Sequence, residues 1–422
     1  MKDSGVEWIG EIPENWNVQK IKSLYKIQTG FTPSTNRPEY YAFDEACGYD
    51  WITIGDLDGT YYIPNSTKAK ISDTYIKEFE PKITPKGSLL YSFKLSVGSV
   101  AMTDREVYTN EAIASFLPYP NVNLNFLYYS SFMIVENANE NIYGAKILNQ
   151  DLIKNALIIF PPLSEQQKIA DFLDEKCGAI DEIISKTEQS IEEYKKLKQS
   201  VITKAVTKGI RPNRPMQDSN IEWIGEIPTD WNVRKIFQLF NQVKNKNIGM
   251  TENNLLSLSY GKIKKKNIET SFGLLPESFE TYNIIEKNDI VLRLTDLQND
   301  HRSLRVGLCK ERGIITSAYV TIRLKDKQYA PYLYYLLHTF DIKKGFYGMG
   351  DGVRQGLNWD ELKHLSLVLP LFDEQKEIAD YLDEKCAEID TLIEKKQQFL
   401  SEMANYRKSL IYEYVTGKKE VA

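Results

Sequence analysis

The sequence predicts an α+β chain: two pseudo-repeated α/β domains separated by two long antiparallel helices that form a coiled coil. Three observations carry this. A block near the start, EWIGEIPENWNVQKI from Glu7 to Ile21, recurs as EWIGEIPTDWNVRKI from Glu222 to Ile236. A long heptad-patterned stretch, Ser164 to Gly209, recurs from Asp373 to Gly417. The residues between these blocks are largely dissimilar, yet in both copies they run as short strand-like segments and then a helix. The expected divisions are residues 1–160 for the first domain, 161–210 for the first long helix, 211–370 for the second domain and 371–422 for the second long helix.

The helices are read from their periodicity. Pro161 and Pro162 block helix upstream, and Ser164 with Gln167 has the spacing of a capping box. Leu173, Cys177, Ile180, Ile184, Thr187, Ile191, Tyr194, Lys198, Val201 and Ala205 then recur at alternating steps of three and four. The second copy keeps the register with Leu382, Cys386, Ile389, Ile393, Lys396, Leu400, Met403, Arg407, Leu410 and Tyr414. This is a heptad seam, so its apolar members are candidates for a helix–helix or partner interface. At 1.5 Å per residue such a helix is roughly 65 Å long, more than a compact domain is wide. Its apolar stripe needs cover, which packing the two copies against each other supplies; the alternative is an interrupted bundle inside one large core. Beside the seam runs a second apolar row, Ile183 and Leu197 in one copy, Leu392, Phe399 and Tyr406 in the other. A two-stranded seam needs only two positions per heptad, so this row is left for partner helices or for the undersides of the domains.

The 422 residues are enough for two or three cores, and the formal charge is −5. No segment is strongly basic, so contact with nucleic acid has to come from local clusters. The chain has no apolar run of membrane-span length and no signal-like start, which points to the cytoplasm. Among the four cysteines, Cys177 and Cys386 sit at matched seam positions as small apolar side chains, and no spacing suggests a metal site or disulfide.

Taken in order, the repeated opening block brings Trp8, Trp16, Trp223 and Trp231, which either stack on bases or form a packing clamp with the neighbouring Gly and Pro. In the first middle, Trp51–Asp56, Gly87–Phe93 and Ser96–Met102 read as strands and Phe126–Glu136 as helix. The second echoes them with Asp289–Leu294 and Tyr332–Thr339, and sets Ile314–Leu324 against the Glu111–Leu117 strand. Asn149 and Asn358 align before the two exit strands. Lys262, Lys264, Lys265 and Lys266, beside Tyr260, suit a phosphate backbone and equally a solvated turn. Arg293, Arg302 and Arg305 share a stretch with Gln298, Asn299, Asp300 and His301; its Arg, Gln and Asn side chains can grip base edges or phosphates, and surface ion pairing is the alternative. The analogous first-domain candidates are Tyr91, Lys94 and Arg105, with Thr32, Ser34, Arg37, Lys68 and Lys70 on flanking loops. The glycine-rich run Gly345–Gly356 lacks a phosphate-loop ending and reads as a mobile loop from which Arg354 could reach DNA.

No phosphate-binding loop, amino-methyltransferase motif, metal-ligand cluster or nucleophile–base pair stands out, so the chain is expected to catalyse nothing alone and to hold no cofactor. A self-contained methyltransferase or nuclease, and a coiled-coil scaffold without DNA, are the competing functions.

These features in this order resemble the DNA specificity subunit of type I restriction-modification systems. The resemblance rests on Pro162-Leu-Ser-Glu-Gln-Gln-Lys-Ile169, its second copy Pro370–Ile378 with one extra residue, the two Trp-Ile-Gly-x-Ile-Pro-x-x-Trp blocks and Thr29-Gly-Phe-Thr-Pro-Ser34. The second copy departs from the last motif, having Asn245-Lys-Asn-Ile-Gly249. The resemblance implies two target recognition domains, each reading one half of a bipartite site on double-stranded DNA, with the helices setting the spacer. It implies two modification subunits that methylate adenine and restriction subunits that cleave. S-adenosylmethionine, ATP and Mg are then expected only on those partners.

Overall fold

A computed structural model describes residues 1–42, 48–136, 138–140, 146–266, 278–297, 300, 303–326, 328–349 and 356–421. They form two compact units, residues 1–187 with 398–422, and residues 188–397. Each unit holds one α/β domain and half of each long helix.

In the first unit, strand Asn17–Lys20 follows the tryptophan block and pairs antiparallel with the exit strand Leu157–Phe160, Val18 opposite Ile159. The exit strand leads directly into the helix Leu163–Lys208, so the pairing sets Trp16 beside the first turn of that helix. There the Trp16 indole N–H donates to the Glu165 carboxylate, and Asn15 Nδ2 donates to it at 2.7 Å. The end of the second long helix, Phe372–Val415, closes the same corner. A Cβ on Gly417 would lie 2.4 Å from Pro13 Cδ and 3.0 Å from the Trp16 ring, so only glycine permits this approach.

The second unit repeats the corner. Asn232–Lys235 pairs with Ser366–Leu369, and the Trp231 indole donates to Glu374 at 3.2 Å. Arg214 donates to the same carboxylate and reaches Asp230 at 2.6 Å. The residue after each glutamate is a buried glutamine. Gln166 Nε2 donates to the Pro161 carbonyl at 2.8 Å while its Oε1 accepts from the Asn123 N–H at 3.1 Å. Gln375 does the same with Pro370 at 2.8 Å and Tyr329 at 2.9 Å. Trp16 and Trp231 are buried, so these two form a packing clamp and present no face to a base.

Each domain is built on a four-stranded antiparallel sheet of the same order. In the first, Lys26–Thr29, Ile113–Leu117, Leu89–Ser92 and Val100–Met102 lie side by side. In the second, the order is Phe240–Gln242, Val320–Leu324, Ile290–Leu292 and Val306–Leu308. A helix covers each sheet, Leu124–Ser130 and Ala330–Ile342. Tyr129 on the former donates to Asp174 at 2.7 Å and Tyr335 on the latter to Asp383 at 2.6 Å, tying each domain to a long helix at equivalent points. Asn149 and Asn358 cap the short helices before the exit strands.

Two local expectations are corrected. Ser164 is not a cap, because the helix begins at Leu163 and the Pro162 carbonyl accepts the Gln166 N–H. Gln167 instead accepts from Asn123 Nδ2 and donates to Asp171, each at 2.7 Å. Nor is Ile314–Leu324 one strand. Gly313–Ile315 pairs with Asn283–Ile285, and a turn separates it from Val320–Leu324 in the main sheet.

Within each unit the long helices run antiparallel. In the first, Phe172 packs on Tyr414 with ring centroids 4.4 Å apart and Arg407 pairs with Asp181 at 3.0 Å. In the second, Lys198 pairs with Asp390 at 2.6 Å and the Lys396 ammonium lies 5.7 Å from the Tyr194 ring centre. The two ion pairs are the same pair in the repeat. Leu173, Cys177, Ile180, Ile191, Leu382, Cys386, Ile389 and Leu410 are buried, and Ile184, Tyr194, Val201, Ile393, Leu400 and Met403 half-buried. Desolvation pushes the Cys177 thiol up to about 11, so it stays neutral. The second row, Ile183, Leu197, Leu392, Phe399 and Tyr406, is exposed.

Candidate nucleic-acid interface

A cationic element among the described residues is a hairpin of the second unit. Leu256–Ser259 pairs with Lys262–Lys265, Ser257 opposite Lys264 and Ser259 opposite Lys262. Strand alternation sends Leu256, Leu258 and Ile263 to one face. That face rests on Gly307, where a Cβ would lie 2.5 Å from Leu258 Cδ1 and 3.0 Å from Ile263 Cγ1. Lys262 and Lys264 therefore share the outward face with Ser257 and Ser259. Lys265, on the inner face, approaches Glu311 at 3.9 Å, and Lys266 is exposed just past the strand. The two serines were missed in the sequence, although the alternation Leu-Ser-Leu-Ser held the signal.

Arg305 is a correction. It is fully buried, its main-chain N–H donates to Asp341 Oδ2 at 2.5 Å, and its guanidinium is spent on the fold. Nε donates to the Tyr347 hydroxyl at 3.1 Å. The two Nη atoms donate to the carbonyls of Arg293 at 3.1 Å, Thr295 at 2.8 Å, Asp296 at 3.2 Å and Asp300 at 2.5 Å. Arg305 thus shapes the loop that follows Leu292, and its guanidinium is buried rather than presented at the surface. Arg293, at the start of that loop, is half-exposed and 3.7 Å from Asp300. Arg302 and Arg354 lie outside the described residues.

In the first unit Tyr91, expected at the surface, is a core residue. Its strand is central in the sheet, its ring packs near Phe116 in the core, and burial pushes its hydroxyl well above the usual phenol range. Arg105 is held by Asp50 at 2.7 Å, Asp104 at 2.9 Å and the Pro64 carbonyl at 2.8 Å. Lys70 shares Asp50 at 3.8 Å. Arg105 and Lys70 are thus brought together on one carboxylate. Lys68 is exposed and donates to the Gly55 carbonyl at 2.5 Å. Lys94 and Arg37 are exposed, with loose acidic neighbours, Glu111 at 3.7 Å and Glu39 at 3.4 Å. Thr32 and Ser34 are exposed on the loop after Gly30. A Cβ on Gly30 would lie 1.7 Å from the Thr109 carbonyl oxygen, to which Phe31 N–H donates at 2.9 Å. In the second unit Asn245–Gly249 makes its own main-chain bonds, Ile284 N–H to the Asn245 carbonyl at 2.7 Å and Asn247 N–H to the Tyr282 carbonyl at 3.0 Å.

Among the described residues no group of His, Cys, Asp or Glu is placed to hold a metal ion, and no helix is long and apolar enough to cross a membrane.

Two like-built domains with unlike surfaces, each tied to antiparallel helices, define a tandem-repeat protein in which one scaffold presents two different surfaces. The family model for the type I restriction modification DNA specificity domain matches residues 13–193 and again 228–401. The chain belongs to the DNA specificity subunits of type I restriction-modification systems, the non-catalytic members of those systems. It is 25% identical to the putative type I restriction enzyme MjaX specificity subunit of Methanocaldococcus jannaschii, over 98% of this chain and 96% of that one. To the MjaIX specificity subunit of the same organism it is 29% identical, over 54% and 52%. Among solved structures, a chain from a study of the assembly and conformational transition of the type I R-M system superposes with a TM-score of 0.70. It shares 14% identity, covering 97% of this chain and 100% of that one. The HsdS subunit from Thermoanaerobacter tengcongensis gives 0.52 at 14% identity, covering 97% and 98%. These two show likeness of fold.

Proposed function

We propose that the chain reads a bipartite site on double-stranded DNA in the cytoplasm, each unit taking one half, within an assembly containing methyltransferase and restriction subunits. The observation that carries this reading is the duplicated scaffold. Strand order, covering helix, tryptophan clamp and tyrosine–aspartate tie recur, while the surfaces between them differ. Two linked readers reach high affinity together because the second binds at high effective concentration once the first is engaged. The long helices, each shared between units, set the spacer.

The exposed row on those helices suits the partners. Ile183 and Leu392 are equivalent in the repeat, as are Leu197 and Tyr406, and all four are exposed. The units therefore offer equivalent pairs, Ile183 with Tyr406 and Leu392 with Leu197, and the first adds Phe399, whose counterpart is Ser190. Equivalent apolar surfaces present twice suit two copies of one partner, here the methyltransferase subunit. Adenine methylation, cleavage, S-adenosylmethionine, ATP and Mg belong to those subunits in this reading.

Exchanging residues 28–148 for the matching segment of another family member, then mapping methylated adenines in cells, tests it. The first half of the site should change while the second half and the spacer stay. A change in both halves, or in neither, would reject the assignment of one half to each unit.

A further inference from the structure

The tip of the Leu256–Lys265 hairpin breaks a local rule without repayment inside the fold. The two turn residues, Tyr260 and Gly261, have φ of 46° and 74°. Such a two-residue turn prefers asparagine or aspartate before the glycine, because an ordinary side chain in the left-handed region meets its own backbone. An aromatic residue here is strained, and strain of this kind persists where something over-determines it. The fold does not recover the cost, since Tyr260 is 73% exposed. Nor is the tip loose. Gly261 N–H donates to the Leu304 carbonyl at 3.1 Å, the Tyr334 hydroxyl donates to the Gly261 carbonyl at 3.5 Å, and a Cβ on Gly261 would lie 3.0 Å from Leu304 Cβ. A rigid mount holds a bulky ring in solvent.

The surroundings say what the ring is for. Behind it the outward face carries two hydroxyls and two ammonium groups, Ser257 and Ser259 opposite Lys264 and Lys262. The mount joins the tip to the end of the loop that Arg305 shapes. A two-stranded ribbon fits the major groove of B-DNA, and hydroxyl and ammonium donors on its outer face suit the flanking phosphates. A protein groove of matching shape would have to be acidic to accept the same lysines.

We infer that the Leu256–Lys265 hairpin enters the DNA groove as a two-stranded ribbon and that Tyr260 at its tip is a specificity-determining residue for the second half-site. This rests on the DNA-reading function proposed above. Lys262 and Lys264 supply affinity for any sequence, and Tyr260 supplies preference among sequences.

The test uses the complete assembly with its partner subunits and a duplex carrying its own site, mapped from methylated adenines. A second duplex has only the second half-site scrambled. Tyr260→Asn is the informative variant, because asparagine is the residue this turn prefers and the hairpin should fold at least as well. It should bind the intact site roughly 10-fold more weakly, bind the scrambled duplex as wild type does, and leave the salt dependence unchanged. Lys262→Glu with Lys264→Glu should weaken both duplexes and lower the salt slope by about two phosphate equivalents. Wild-type affinity of Tyr260→Asn for the intact site overturns the inference while leaving DNA reading in place. So does an equal loss on both duplexes, or loss of assembly with the methyltransferase subunits, which would make the ring a protein contact. Failure of the wild-type assembly to prefer the intact duplex overturns DNA reading and this inference together.

Discussion

Replacing Arg305 with methionine separates a structural arginine from a DNA-contacting one. Methionine keeps most of the buried length and donates nothing. The substitution removes a charged donor from the carbonyls of Arg293, Thr295, Asp296 and Asp300 and from the Tyr347 hydroxyl. It also takes the guanidinium away from the buried Asp341 carboxylate, which accepts the Arg305 main-chain N–H. A hydrogen bond to a charged group is worth about 1.5–3 kcal/mol, so the lost bonds alone would sum to more than the whole stability of many domains. Two effects cap the cost. The loop can open and hydrate its carbonyls, and removing the cation returns the desolvation it had suffered. What remains is the usual loss on breaking a buried charged network, about 3–5 kcal/mol. In a unit of roughly 200 residues this is a fall in melting temperature of about 10 °C. Thermal and guanidinium unfolding of the full chain, with hydrogen exchange over residues 293–304, would measure it. Arg305→Lys should fall between, since an ammonium reaches fewer of the oxygens. If Arg305→Met melts like wild type and lowers the salt slope of DNA binding by about one phosphate equivalent, Arg305 contacts DNA and its structural role is wrong.

Two further perturbations test the frame. Burial pushes the Asp341 carboxyl up to about 6, opposed by the Arg305 N–H and charge, so the folded chain retains a proton that the unfolded chain releases near 4. Stability should therefore fall as pH rises from about 4 to 6, by at most about 3 kcal/mol, and level off above. Asp341→Asn should flatten that part of the stability curve, and an identical slope in the variant would contradict the shift. On the long helices the seam residues Lys198 and Arg407 make partly exposed ion pairs with Asp390 and Asp181, each worth about 0.5–1 kcal/mol. Reversing Lys198 or Asp390 singly should cost about that much, and exchanging the two charges should recover most of it. A coupling indistinguishable from zero in the double-mutant cycle would remove these pairs from any account of helix register.

Much was legible in the chain itself because it depends on local periodicity and repetition. The heptad spacing from Leu173 to Ala205 and from Leu382 to Tyr414 announces a helix pair, since a 3.5-residue step is a property of a few turns and needs no knowledge of the rest. The repeated tryptophan blocks and Glu-Gln pairs announce two like units and, with the proline that precedes each long helix, the family.

The chemistry inside the unlike middles was not legible. Tyr91, Arg105 and Arg305 look in sequence like Lys262 and Lys264, polar side chains on or beside short strands. Only the tertiary structure separates them. Tyr91 sits on a central strand, Arg105 faces two aspartates, and Arg305 faces four carbonyls contributed by residues up to twelve positions away. Lys262 and Lys264 stay outward because Gly307 fixes which hairpin face is inner. The glutamates of the repeated motif show the same limit. Sequence marks Glu165 and Glu374 as equivalent, and the fold shows why, by bringing Trp16 and Trp231 from about 150 residues upstream onto them. Periodic and repeated features are decided by neighbours along the chain. Whether a polar side chain faces solvent or satisfies a buried partner is decided by groups distant in sequence, which only the folded chain brings together.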